Sequence, residues 1–82
     1  MQPSDVTDRA SFILFINTLE EEVSSINPSE HPNPTMADFI EAIGRYTEDI
    51  QGYYDNTGQS INADVSTWRV FADILKGATM YE

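Results

Sequence analysis

The segment at residues 27–34 constrains the fold most, because three of its eight positions are proline. Each proline removes a backbone hydrogen-bond donor and pushes the residue before it out of the helical region. A continuous helix therefore cannot run through this segment. It divides the chain into a shorter part before it and a longer part after it, and each part must form its own elements.

The part before the proline segment has apolar residues at helical spacing. Thr7 or Asp8 is suited to cap a helix, which we place at residues 8–26. A period of about 3.6 residues puts its apolar side chains on one face and points Leu14 away from them into solvent. The predicted core positions of this helix are Phe12, Phe15, Ile16, Leu19, Val23 and Ile26.

Two further helices are predicted after the proline segment. Thr35 caps the first of them at residues 36–52, a turn-forming run rich in Asp, Asn, Gly and Ser follows, and the last helix covers residues 65–79. Their short connections favour antiparallel neighbours. We predict one all-α domain over residues 1–82, a small three-helix bundle with up-down-up topology. The apolar arc of the middle helix contains Met36, Phe39, Ile40, Ile43, Tyr46, Thr47 and Ile50.

The last helix has an apolar arc wider than one packing partner requires. Its apolar side chains cover roughly 200°, about twice the stripe of a helix that rests on a single neighbour. The helix therefore either wedges between the other two or offers a second face to another molecule. Trp68 and Phe71 are predicted core residues. Val70, Ile74 and Tyr81 are the predicted self-association residues of a homodimer.

The charge of the chain limits its partners. It has 14 acidic and 4 basic side chains, which gives a formal net charge of -10 at pH 7. So few cations cannot neutralise a nucleic-acid backbone, and the negative charge opposes adsorption to anionic membranes. We expect neither direct nucleic-acid binding nor membrane binding. The charge either serves solubility alone or accelerates the encounter with a basic protein.

The sequence lacks the residue patterns that most catalytic and metal sites need. Without cysteine there is no disulfide and no thiolate zinc site. His31 is the only imidazole, and the loop that begins at Asp55 has Ser60 where a calcium loop needs glycine. No phosphate-binding glycine loop or nucleophile elbow occurs. We expect no enzyme, catalytic residue, cofactor or metal.

The N-terminal residues and the apolar runs bear on location. The longest unbroken apolar run, Phe12 to Ile16, is far too short to cross a bilayer. The first residues have neither the basic start nor the apolar stretch of a signal peptide. A cytoplasmic protein is therefore expected.

Tyrosines and carboxylates accumulate near the end of the middle helix. A tyrosine ring beside carboxylates is a mixture found at binding hot spots for basic partners. For Tyr54 we expect a buried ring that closes the bundle, while Tyr53 is equally compatible with burial and with exposure. The predicted partner surface consists of Glu48, Asp49, Tyr53 and Asp55.

Several motifs are distributed along the chain. They are an opening Phe-x-x-Phe helix, Asp38-Phe39-Ile40-Glu41-Ala42, Gly52-Tyr53-Tyr54 with Asn56, and Trp68-Arg69-x-Phe71-Ala72-Asp73-x-Leu75-x-x-Ala78-x-x-Tyr81-Glu82. Together they resemble an uncharacterised family of small bacterial proteins, a domain of unknown function. The resemblance spans nearly the whole chain. It implies a bacterial origin and a small helical fold, and it carries over no catalytic or binding residue.

A second resemblance concerns surface chemistry alone. The tyrosine pair beside carboxylates is similar to that of the colicin-type nuclease immunity proteins, which are acidic and helical and bind a basic nuclease, although the order and spacing of the helices differ. The leading hypothesis is an interaction module that binds a basic protein, with toxin neutralisation as one version. The alternatives are a self-associating structural module and a DNA mimic.

Overall fold

Three α-helices and two short 3₁₀ helices form the regular structure of residues 1–81, the part of the chain that the computed structural model describes. No strand occurs in these residues, so the predicted all-α class is confirmed. In chain order the elements are a 3₁₀ helix at Pro3–Asp5, α1 at Arg9–Ser24, a 3₁₀ helix at Pro28–Glu30, α2 at Met36–Asn56 and α3 at Trp68–Ala78.

The start of each α-helix is set by a capping side chain. Asp8, Thr35 and Thr67 each accept a hydrogen bond from the backbone N–H three residues further on, at 2.8–3.1 Å. Such a bond satisfies one of the donors that a helix N-terminus leaves without a partner. The caps at Asp8 and Thr35 confirm the prediction. The last helix begins at Trp68 instead of residue 65, because Thr67 provides its cap.

The end of α2 differs from the prediction. Gly52 does not stop the helix, which continues to Asn56 instead of ending at residue 52. A glycine costs about 1 kcal/mol in a helix interior, whereas the added turn buries the whole side chain of Tyr54. The chain then leaves the helix through Gly58, whose φ of 71° lies in the left-handed region that glycine adopts without strain.

The direction of α2 is opposite to that of α3. Tyr46, at the middle of α2, lies against Gly77 near the end of α3. Tyr54, near the end of α2, is hydrogen-bonded to Asp73, which lies nearer the start of α3. The two helices are therefore antiparallel, as predicted.

The direction of α1 is the same as that of α3. Near their N-terminal ends the rings of Phe12 and Trp68 lie 5.2 Å apart, and towards their C-terminal ends Lys76 Nζ is 2.6 Å from Glu22 Oε2. The topology is therefore the predicted up-down-up. α3 also packs against the N-terminal 3₁₀ helix, while α1 and α2 contact each other far less than either contacts α3. Of the two predicted alternatives, the structure therefore shows α3 wedged between the other two helices.

Buried residues lie on several sides of α3, and this changes the predicted roles of its side chains. Val70 is 3% exposed, so the prediction that it lies on a self-association surface is wrong. Trp68 and Phe71 are 38% and 41% exposed, and the prediction that they are core residues is also wrong. The helix turns its smaller side chains towards its neighbours, among them Ala72 and Ala78. Both rings lie in the first turn of α3, where α1 covers them only in part.

Other predicted core residues also lie at the surface. Met36 and Ile40 at the start of α2 are 80% and 61% exposed, and Ile26 lies just beyond the end of α1, where it is partly exposed. α3 is too short and too central to cover the full apolar arcs of both neighbours. Leu14 is exposed, as predicted.

Candidate binding surfaces

The four residues of the predicted partner surface all lie exposed on α2, but they divide into two pairs. Glu48 and Asp55 are seven residues apart, about two helical turns, so both point to the outward face. Asp49 and Tyr53 are four residues apart and are neighbours along one flank of the helix. The structure therefore brings the residues together pairwise, on two sides of one helix that are about 130° apart.

Asp49 already has a partner within the chain. The hydroxyl of Tyr81 donates a hydrogen bond to Asp49 Oδ2, and the ring of Tyr81 meets that of Tyr46 edge-to-face with centroids 5.5 Å apart. This hydrogen bond, with further contributions from burial and the negative charge of Asp49, raises the pKa of the Tyr81 hydroxyl. Tyr81 therefore lies at the flank of the predicted partner surface, and not on a self-association surface as the sequence predicted. Ile74, the remaining residue of the predicted self-association surface, is half-buried.

The two neighbouring tyrosines have different environments. Tyr54 is fully buried and donates a hydrogen bond to Asp73 Oδ2 at 2.5 Å, so its expected role in closing the bundle is confirmed. Tyr53 is 44% exposed, and its ring centroid lies 5.8 Å from that of Tyr54. Tyr53 is therefore the aromatic side chain of this surface that a partner can reach.

A hollow of about 460 Å³ with a mixed polar and apolar lining adjoins Tyr53 between α2, α3 and the N-terminal 3₁₀ helix. Two cationic side chains line it, but both have partners. Arg69 Nη2 donates to Gln59 Oε1 at 2.5 Å and its Nε lies 3.5 Å from Asp73, while Lys76 pairs with Glu22 on α1. The hollow therefore does not offer a free positive charge to an anion.

A second concave surface, which the sequence analysis did not find, lies between α1 and α2. We call it the α1–α2 groove. It has a volume of about 310 Å³ and an almost entirely apolar lining. Its apolar walls consist of Ile16, Leu19, Val23, Ile26, Pro32, Phe39 and Leu75. Apolar residues at this helical spacing were predicted to lie in the core. Whether they are buried there or line a groove depends on how α1 and α2 are placed on α3.

The proline segment closes one end of the groove. Asn33 Nδ2 donates to the carbonyl oxygen of Ala78 at 2.8 Å, which fastens the segment to the end of α3. His31 Nε2 lies 3.1 Å from the carbonyl oxygen of Ile26. The segment that interrupts the helices therefore also forms part of the lining of the groove.

An aromatic cluster of Phe12, Trp68 and Phe71 is partly exposed where α1 and α3 begin. The ring centroid of Trp68 lies 5.2 Å from that of Phe12 and 6.1 Å from that of Phe71. Ile13, on the next position of α1, is exposed. Exposed apolar side chains that adjoin each other are typical of contact surfaces.

Two structural observations concern metal binding and membrane spanning. Among residues 1–81, no group of three or more His, Asp or Glu side chains is placed to hold a metal ion. None of the helices in this part of the chain is both long and apolar enough to cross a bilayer.

These features define a small acidic helical domain with an exposed acidic face on α2, an apolar groove and a partly exposed aromatic cluster. A family model matches residues 8–82, almost the whole chain, and the chain belongs to that family, which is described as a family of unknown function (DUF7660). The predicted resemblance to a domain of unknown function is thereby confirmed. Neither a curated protein nor a solved structure matches the chain.

Proposed function

We propose that the protein is an interaction module that binds a basic protein partner through the outward face and Tyr53 flank of α2. The observations that carry this proposal are the exposed ring of Tyr53 beside Asp49 on one flank of α2 and the exposed carboxylates of Glu48 and Asp55 on the outward face. Tyrosine combines a large apolar ring with a hydroxyl, which suits it to the centre of an interface that is partly wet.

The charge distribution of α2 supports a cationic partner. The helix has five acidic residues, and its only base, Arg45, is paired with Glu41 at 2.5 Å. None of the carboxylates of Glu48, Asp49 and Asp55 forms an ion pair within residues 1–81. Together with the net charge of -10, they accelerate association with a basic protein at low ionic strength.

The test is an affinity capture from the host organism at low and at high salt, with the bound proteins identified by mass spectrometry. A double variant, Glu48→Gln with Asp55→Asn, removes two charges from the outward face, and Tyr53→Ala removes the ring. The matched control, Glu21→Gln with Asp64→Asn, removes two exposed charges elsewhere. We expect a basic protein that the wild type and the control retain at low salt and that both surface variants lose.

Two outcomes would contradict the proposal. One is capture of proteins without an excess of positive charge. The other is equal capture by the wild type and by the surface variants, which would place the contact elsewhere.

Self-association is a second candidate function. The exposed aromatic cluster favours it, whereas the self-association residues predicted from the sequence do not. The partly exposed rings of Trp68 and Phe71, with centroids 6.1 Å apart, form an apolar surface that a second copy would cover. Light scattering at tens of micromolar tests this directly. A dimer that Phe71→Glu converts to a helical monomer would support it, and a wild-type monomer would exclude it.

A further inference from the structure

The α1–α2 groove exists because α3 supports both flanking helices while these barely touch each other. An opening remains above Leu75 and Thr79, with α1 on one side and Phe39 of α2 on the other. Its volume of about 310 Å³ is at the lower end of the range of about 300–1,000 Å³ that is usual for ligand pockets. The groove is therefore large enough to receive several apolar groups of a partner.

The walls of the groove are held in place before any partner binds. The Asn33 to Ala78 hydrogen bond fixes the closed end, and the ion pair of Lys76 with Glu22 joins α1 to α3 along the side. A preformed site loses little conformational entropy on binding. Less of the free energy gained by burying its apolar surface is therefore offset, and more of it appears as affinity.

The polar groups of the groove indicate the charge of its occupant. Asn33 and Thr79 each donate to a backbone carbonyl oxygen, and His31 is hydrogen-bonded to Ile26. Glu20 is the only carboxylate of the lining, is exposed, and makes no hydrogen bond or ion pair within residues 1–81. It remains available to a cation that lies at the edge of the groove.

The apolar surface extends beyond the cavity along α2. Met36 lies three residues before Phe39 and four before Ile40, so the three side chains are neighbours on the helix. Met36 and Ile40 are both well exposed. A small molecule held in the cavity would leave them uncovered, whereas a helix laid along the groove would cover them with successive apolar side chains. Methionine adapts its shape readily to such a contact.

We propose that the α1–α2 groove binds an amphipathic helix of the basic partner. The apolar face of that helix packs between α1 and α2, and a lysine or arginine at its edge pairs with Glu20. This inference rests on the proposed function, because it assigns the partner's binding element. It adds a second contact region to the acidic surface of α2 and defines the partner segment as apolar on one face and cationic on the other.

A synthetic probe tests the groove. The probe is a fluorescent peptide of about five helical turns, built from leucine and lysine so that leucine forms one face. The first control peptide has the same composition in scrambled order. The second keeps the pattern and replaces lysine by glutamate. Binding is measured by fluorescence anisotropy, and the site is mapped by amide chemical shifts of the ¹⁵N-labelled protein.

Variants with matched controls separate the groove from other surfaces. Ile26→Ser replaces an apolar side chain in the wall of the groove. Leu14→Ser makes the same kind of change on the side of α1 that faces away from the groove. We expect about fivefold weaker binding for the first and less than twofold for the second. Met36→Ser supplies a second variant on the apolar surface beside the groove, at a position that is 80% exposed.

The charge contact has its own pair of variants. Glu20→Gln removes the carboxylate at the groove, and Glu21→Gln removes its exposed neighbour, which does not line it. We expect about threefold weaker binding for Glu20→Gln, the size typical of an exposed ion pair, and no change for Glu21→Gln.

Each outcome decides the proposal. Shifts at Val23, Phe39 and Leu75 together with weakened binding by the groove variants support it. No binding, equal binding of the scrambled peptide, or shifts confined to Glu48 and Asp55 overturns it. Groove shifts that change with protein concentration in the absence of peptide would assign the groove to a second copy and also overturn it. The capture experiment decides the basic partner separately, so the two failures are distinguishable.

Discussion

The hydroxyl of Tyr54 donates a hydrogen bond to Oδ2 of Asp73 at 2.5 Å, and both residues are buried between α2 and α3. Arg69 Nε lies 3.5 Å from the same carboxylate. A buried carboxylate without a donor is costly, because it has lost its water. The tyrosine therefore compensates a charge that the antiparallel packing of the two helices removes from solvent.

Removal of this hydroxyl should destabilise the protein. In Tyr54→Phe the ring still fills its site, but Asp73 loses its donor, and we expect a loss of about 1.5–3 kcal/mol in the free energy of unfolding. Urea denaturation followed by far-UV circular dichroism measures this. Tyr53→Phe is the matched control, since Tyr53 has no recorded side-chain hydrogen bond within residues 1–81, and it should stay within about 0.5 kcal/mol of the wild type. Equal effects of both variants would contradict the assigned role.

The same hydrogen bond predicts a loss of stability at alkaline pH. Burial, and then the hydrogen bond to Asp73 and its charge, raise the pKa of the Tyr54 hydroxyl far above its ordinary value. When the folded pKa is the higher one, the stabilisation is complete below the unfolded pKa of about 10 and declines as the pH rises through the folded value. Stability should therefore decrease above about pH 10.

Tyr54→Phe lacks this titrating group. Denaturation curves collected from neutral to strongly alkaline pH should show a smaller decline for the variant than for the wild type. An unchanged slope in Tyr54→Phe would assign the alkaline loss to other groups.

Gly77 makes room for the ring of Tyr46. A Cβ built at Gly77 would overlap three carbons of that ring, so any side chain there forces Tyr46 to move. We expect Gly77→Ala to cost about 1–3 kcal/mol in the free energy of unfolding, although alanine is the better helix former. The displaced ring would also lose its edge-to-face contact with Tyr81.

Gly44→Ala provides a control with the opposite sign. Gly44 lies exposed on α2 with no atom near the position of a Cβ, so alanine should stabilise the helix by up to about 1 kcal/mol. Thermal or urea denaturation of the two variants gives the comparison. Stabilisation by both substitutions would show that the Tyr46 contact is unimportant.

The sequence predicted the features that depend on neighbouring residues. Asp8 and Thr35 cap helices because their side-chain oxygens reach nearby N–H groups, and the proline segment ends α1 by local sterics. The bundle and its topology followed from three apolar periods and short connections. These inferences required no knowledge of how one helix lies on another.

The features that depend on the rotation and depth of α3 were not predictable in this way. Its broad apolar arc is compatible with burial of Trp68 or of Val70, and the choice depends on how closely the neighbouring helices approach. Likewise, Val23 and Phe39 have the same periodicity whether they fill a core or line the α1–α2 groove. The contact of Tyr81 with Asp49 joins residues far apart in sequence, and no local pattern indicates it.

The attachment of the proline segment gives the last prediction. Asn33→Ala removes the donor to the carbonyl oxygen of Ala78 and leaves that oxygen without this partner. We expect a loss of about 1 kcal/mol in the free energy of unfolding and faster hydrogen exchange in residues 27–35, because the segment is no longer fastened to α3. Asn17→Ala is the control, since Asn17 is exposed on α1 and has no recorded side-chain hydrogen bond within residues 1–81. Alanine there should be neutral or stabilising. Unchanged exchange in Asn33→Ala would show that the prolines alone hold the closed end of the groove.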